Sequence, residues 1–108
     1  MTKIEHQKIQ EAFAHLTAKK TLRYKNYKAK EVEIYIKAVD KCKETLDRKQ
    51  RNNRTFNEEY QYLQDGLSCL MSKESLYDNG YIDGTNKASV YKQAVLACKS
   101  ALHQIYTF

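Results

Sequence analysis

Three histidines, three cysteines and scattered carboxylates are the residues with which this chain could do chemistry, and their spacing decides against most of it. His6 and His15 stand nine apart, not the four that would set two metal ligands on one helical face. Cys42, Cys69 and Cys98 show no CxxC spacing, so a zinc site completed by His6, His15 or His103 lacks a local ligand pair. Three thiols cannot all pair within one chain, and each falls in a helical pattern. They read as reduced, largely buried apolar residues. Glu58, Glu59 and Asp65 lack the paired carboxylate–histidine motif of a di-iron site. Neither a nucleophile motif nor a phosphate-cradling loop surrounds Ser68 or Ser72, which read as ordinary helix residues. Setting Gly84 at the obligatory glycine of a calcium loop puts Tyr81 and Val90 where oxygen ligands must stand. The sequence thus predicts a protein that is not an enzyme and takes no metal or cofactor.

Charge is more informative. Residues 17–30, TAKKTLRYKNYKAK, carry Lys19, Lys20, Arg23, Lys25, Lys28 and Lys30 with two tyrosines and no acid. Elsewhere basic and acidic residues balance, so the whole formal excess of +6 sits in this one segment. No stretch of about 18 apolar residues could cross a bilayer. Residues 1–20 mix charged and apolar positions unlike a signal peptide, so the expected location is the cytoplasm, with no membrane contact. Asn53-Arg54-Thr55 fits the glycosylation sequon, which matters only in a secreted chain. Fifteen lysines against four arginines, with abundant Asn, Tyr and Ile, suggest an AT-rich coding sequence of the kind many bacteria and phages carry.

The elements that must hold these residues are helices. Proline is absent and glycine occurs only at 66, 80 and 84, too little turn chemistry for a sheet protein. Thr2, His6, Ile9, Phe13 and Leu16 step by four and three, as do Val32, Tyr35, Val39, Cys42 and Leu46. Phe56, Tyr60, Leu63, Leu67 and Leu70 repeat the pattern, and so do Ala88, Tyr91, Val95, Cys98, Leu102 and Ile105. Such stepping keeps each set on one stripe of a helix, which predicts helices over 2–22, 29–50, 56–75 and 86–106. At about 1.5 Å per residue each is roughly 30 Å long, matched for side-by-side packing.

The halves resemble each other. Shifted by 54, Glu5, Gln7, Gln10, Leu16, Lys19 and Leu22 fall on Glu59, Gln61, Gln64, Leu70, Lys73 and Leu76. Shifted by 56, IYIKAVDKCKETL (34–46) meets VYKQAVLACKSAL (90–102), with Tyr35 on Tyr91, Cys42 on Cys98 and Lys43 on Lys99. One helical hairpin cannot hide its own apolar stripe, whereas two can hide theirs against each other. The expected fold is therefore all-α: a single domain over 1–108, an antiparallel four-helix bundle built from two duplicated αα-hairpins, 2–50 and 56–106. Both hairpin tips, 22–29 and 76–87, then stand at one end, with the 51–55 loop and both termini at the other. Asn79-Gly80 predicts a tight turn with positive φ at both positions.

The first tip is basic and the second, with Asp78 and Asp83, acidic. Two readings stand: the lobes pair loosely with each other while their tyrosines cover the bundle's end, or the tips diverged to meet a partner. Tyrosine beside arginine is the composition of interface anchors. The preferred function is a non-enzymatic binding protein of the inhibitor, immunity or adaptor type. Its contact with a partner protein would involve Lys19, Lys20, Arg23, Tyr24, Lys25, Tyr27, Lys28, Lys30, Tyr77 and Tyr81. The alternative is weak, sequence-indifferent nucleic-acid binding by Lys19–Lys30, lysine meeting phosphate as a point charge without arginine's fork. Ile34 and Ile36, beside the second helix's seam, serve either a homodimer contact or a wider core.

Overall fold

A computed structural model describes residues 3–23, 26–48 and 56–106. The expected 51–55 loop, the sequon at Asn53, and Tyr24 and Lys25 of the candidate surface lie outside the described residues. Six helices, and no strand among the described residues, form an all-α fold: α1 (Lys3–Leu16), α2 (Lys19–Arg23), α3 (Ala29–Arg48), α4 (Phe56–Cys69), α5 (Lys73–Asp78) and α6 (Asn86–Tyr106).

The first and third expected helices are each broken. Thr17 and Ala18 donate their amides only three residues back, to Ala14 and His15 carbonyls, at 3.2 and 3.3 Å. Met71 and Ser72 do the same to Ser68 and Cys69, at 3.0 and 3.2 Å. A turn tightened in this way ends an α-helix. The chain then restarts as a short helix. At α5 the restart is capped: Ser72 is extended (φ −66°, ψ 154°) and its Oγ accepts from the Ser75 amide at 3.2 Å. Each break redirects a leucine inward. Leu22 and Leu76 join the core, and Leu76 is wholly buried.

α3 and α6 form the most extensive helix pair, and α1 and α4 each lie against both of them. The central pair needs two apolar stripes. Beside Tyr35, Val39, Cys42 and Leu46, α3 buries Ile34, Ala38 and Thr45, and α6 buries Val90 and Ala94 beside Tyr91, Val95, Cys98 and Leu102. Ile34 thus belongs to a wider core. Small residues at Ala38, Cys42, Ala94 and Cys98 let the two backbones approach closely. The Cα envelope is 40 × 32 × 19 Å, about two helices thick along its shortest axis.

Asn86 and Glu31, in the first turns of α6 and α3, are hydrogen-bonded at 3.3 Å. Cys42 and Cys98, free thiols about three turns further along each helix, are buried as close neighbours in the same core. The two helices therefore run parallel. That contact, with burial second, pushes the Cys42 thiol far above its ordinary range. Cys69, expected among the buried thiols, is instead exposed at the end of α4. Glu59 is buried at the start of α4, and neither of its oxygens has a hydrogen-bond partner among the described residues. No described helix is long and apolar enough to cross a membrane.

Candidate protein-docking end

Because α3 and α6 run parallel, the connections that lead into them share one end of the molecule. Both are built on a left-handed residue, Asn26 (φ 53°) in the first and Gly80 (φ 89°) in the second. At Asn79-Gly80 the expected two-residue turn is replaced by a helix stop. Asn79 keeps negative φ (−93°), Gly80 donates to the Tyr77 carbonyl at 3.0 Å, and Tyr81 donates to Leu76 at 2.8 Å. This is the Schellman arrangement, in which only the residue after the cap needs positive φ.

Each tip then folds a tyrosine back over the long helix that follows. Tyr27 lies on Tyr35 with ring centroids 5.7 Å apart, and Tyr81 lies on Tyr91 at 5.1 Å. Burial first, then neighbouring groups including the thiols, pushes Tyr35 and Tyr91 up to about 12. The Tyr27 hydroxyl donates to Gln93 Oε1, bracing the first tip against α6. Its own pKa is raised by burial and by the Glu31 charge.

Charged groups fix the entries to the long helices. The Lys28 amide donates to Glu31 Oε1 at 3.0 Å, half of a capping box. That bond, then the one from Asn86, holds the Glu31 carboxyl below its ordinary range. In the second tip Thr85 Oγ1 accepts from the Ala88 amide at 3.3 Å, and Lys92 Nζ meets Asp83 Oδ1 at 2.5 Å. The Lys92 bond is the largest influence lowering the Asp83 carboxyl.

The tip surfaces differ sharply. Lys19, Lys20, Lys28 and Lys30 are exposed, and among the described residues no ion pair engages them. Arg23 closes α2. Tyr27 and Tyr81 are half-buried, so of the described tyrosines proposed for contact only Tyr77 is open, at 75% exposure. Beside it stands Ile82, 67% exposed, which the seam pattern passed over because it lies in a loop. Tyr77 and Ile82 border an open cleft of about 570 Å³ with Lys73, Glu74, Asp78 and Asp83 on its walls. A cleft of about 580 Å³ occupies the corresponding place in the first tip, between Lys19, Leu22, Asn26, Tyr27 and Val32. Neither cleft takes residues from the other tip.

The far end holds polar braces. His6 Nε2 and Gln10 Nε2 both reach Asp47 Oδ1 at 3.0 Å, and Tyr60 Oη bonds His103 Nδ1 at 2.7 Å. Lys99 Nζ donates to Ser68 Oγ at 2.6 Å, a contact the sequence did not reveal. A serine beside a lysine is a nucleophile pair only with a substrate cleft and an oxyanion site. Ser68 and Lys99 line neither tip cleft and instead tie α4 to α6. No three His, Cys, Asp or Glu side chains gather as a metal site among the described residues. Comparison of the chain with protein families, with curated proteins and with solved structures finds no match in any of the three.

Proposed function

We propose that this is a non-enzymatic binding protein, a duplicated αα-hairpin folded as a four-helix bundle with two kinked arms, that meets a partner protein through its tip end. Support for the duplication comes from contacts that recur at the shifts of 54 and 56. The helix breaks recur, as do Asn26 and Gly80, and the Tyr27–Tyr35 and Tyr81–Tyr91 stacks. The Gln7–Glu11 bond returns as Gln61–Asp65, and the His6–Asp47 brace as Tyr60–His103. Polar surface contacts are not dictated by a heptad pattern, so their recurrence argues for common descent of the halves.

One observation carries the docking reading: Tyr77 and Ile82, adjacent at one cleft, are the two most exposed large apolar side chains among the described residues. Apolar groups held in water beside a cleft mark an interaction site. On this reading the protein itself is of the inhibitor, immunity or adaptor type, in a bacterial or phage setting. Capture of a partner from a native lysate tests it: Tyr77→Ala with Ile82→Ala should abolish recovery while the fold persists. Undiminished recovery overturns the assignment of this end.

A second reading, weak phosphate-backbone binding, is favoured by Lys19, Lys20, Lys28 and Lys30, which no ion pair engages among the described residues. Titration with labelled single- and double-stranded nucleic acid at two salt concentrations decides it. The triple change Lys25→Glu, Lys28→Glu and Lys30→Glu should remove any salt-dependent binding, and absence of such binding by the native chain eliminates the reading.

A further inference from the structure

The two tips present complementary surfaces that the monomer leaves unsatisfied. On the second, Glu74 and Asp78 flank Tyr77 with no ion pair among the described residues, Lys73 is the one cation on the same cleft wall among them, and Tyr77 and Ile82 stand in solvent. On the first, a cleft of nearly the same volume has an apolar lining of Leu22, Tyr27 and Val32, with Lys19 at its edge and exposed Lys28 nearby. Within one molecule the two clefts share no lining residue among those described, while Asp83 is taken by Lys92 and Glu31 by Asn86.

We propose that the occupant of this end is a second copy of the chain, docked end to end about a twofold axis. An isologous contact requires each surface to meet its complement on the partner at the same time. Two unlike lobes at the same end satisfy that condition. A half-turn about an axis lying across the end brings the basic lobe of each copy over the acidic lobe of the other, twice per dimer. Tyr77 and Ile82 of one copy then enter the cleft beside Leu22, Tyr27 and Val32 of the other, with Lys19 and Lys28 facing Glu74 and Asp78. Opposed charge sets the register and apolar insertion supplies the driving force. Had the two tips stood at opposite ends, the same complementarity would join copies head to tail into an open chain. This inference rests on the tip end being a docking surface and replaces an unknown partner with the protein itself.

Sedimentation velocity tests it. The native chain should sediment as a dimer in about 50 mM salt and shift towards monomer near 500 mM, its dissociation constant rising about tenfold or more as screening shortens the reach of the charges. Glu74→Lys with Asp78→Lys should be monomeric, and so should Lys19→Glu with Lys28→Glu. Mixed in equal amounts, the two variants should restore the dimer, because each reversed lobe then meets a reversed partner. That rescue separates specific pairing from loss of folding. A native chain that stays monomeric at about 1 mM in low salt overturns the proposal, as does failure of the mixture to pair. Partner capture keeps the two readings distinct. Loss of capture by Tyr77→Ala with Ile82→Ala in a strictly monomeric protein leaves the docking end standing and removes the second copy as its occupant.

Discussion

The two tips use one backbone plan for opposite surfaces. In each, a short arm helix follows a tightened turn, a left-handed residue lies between that arm and the next long helix, and a tyrosine lies back on the tyrosine of that helix. Yet one is lysine-rich and held by a hydroxyl reaching α6, and the other has an acidic loop held by its own lysine. The inner contacts of the tips are alike, and the differences lie where water or a partner would be met. Packing constrains the buried face of an arm, while its outer face is free to specialise.

Four measurements would break or sharpen this comparison. Leu76→Ala and Leu22→Ala should both destabilise, by about 2–5 kcal/mol, with Leu76, fully buried where Leu22 keeps 8% exposure, at the upper part of that range. Urea denaturation reads both, and equal small losses would mean that the arms are not part of the core. Gly80→Ala should cost about 1–2 kcal/mol through φ alone, since an added Cβ meets nothing within 4 Å. Asn26→Gly should be neutral or slightly stabilising, because asparagine already bears a cost at φ 53°.

Tyr27→Phe should cost about 0.5–1.5 kcal/mol through loss of the bond to Gln93, whereas Tyr81→Phe, which removes no such brace, should be close to silent. The smallest effect is in acid. Glu31 and Asp83 titrate below their ordinary values of 4.5 and 3.8 when folded. Their contribution is complete above those values and disappears as pH falls through the lowered folded ones. Thermal melts from about pH 6 to about pH 2.5 should show a slightly shallower decline in Glu31→Gln or Asp83→Asn than in the native chain. An unchanged slope in both would count against these contacts.

Much of the core was legible from spacing. Ile9, Phe13, Tyr35, Val39, Cys42, Leu46, Leu63, Leu67, Tyr91, Val95, Cys98 and Leu102 are buried as the seams required. The breaks were not legible, because an amide bonded three residues back leaves the three–four rhythm of apolar residues nearly intact. Only Ser72, extended before Lys73-Glu74-Ser75, carried a capping signal, and Ala18 carried none. The second stripes on α3 and α6 place Ala38, Thr45 and Ala94 beside Ile34 and Val90, and alanine and threonine are residues a hydrophobic pattern underweights. At the candidate end, charge located the first tip. Ile82, a lone apolar residue among loop residues, has no period to reveal it, and Tyr77 shares its chemistry with tyrosines that turn out to be packed.

The thiols supply a gauge of cohesion that requires no engineering. Cys69 faces solvent while Cys42 and Cys98 are enclosed between the central helices. An alkylating reagent should therefore modify one site at once and the other two only when α3 parts from α6. The lag between those events clocks how often the molecule opens along its midline.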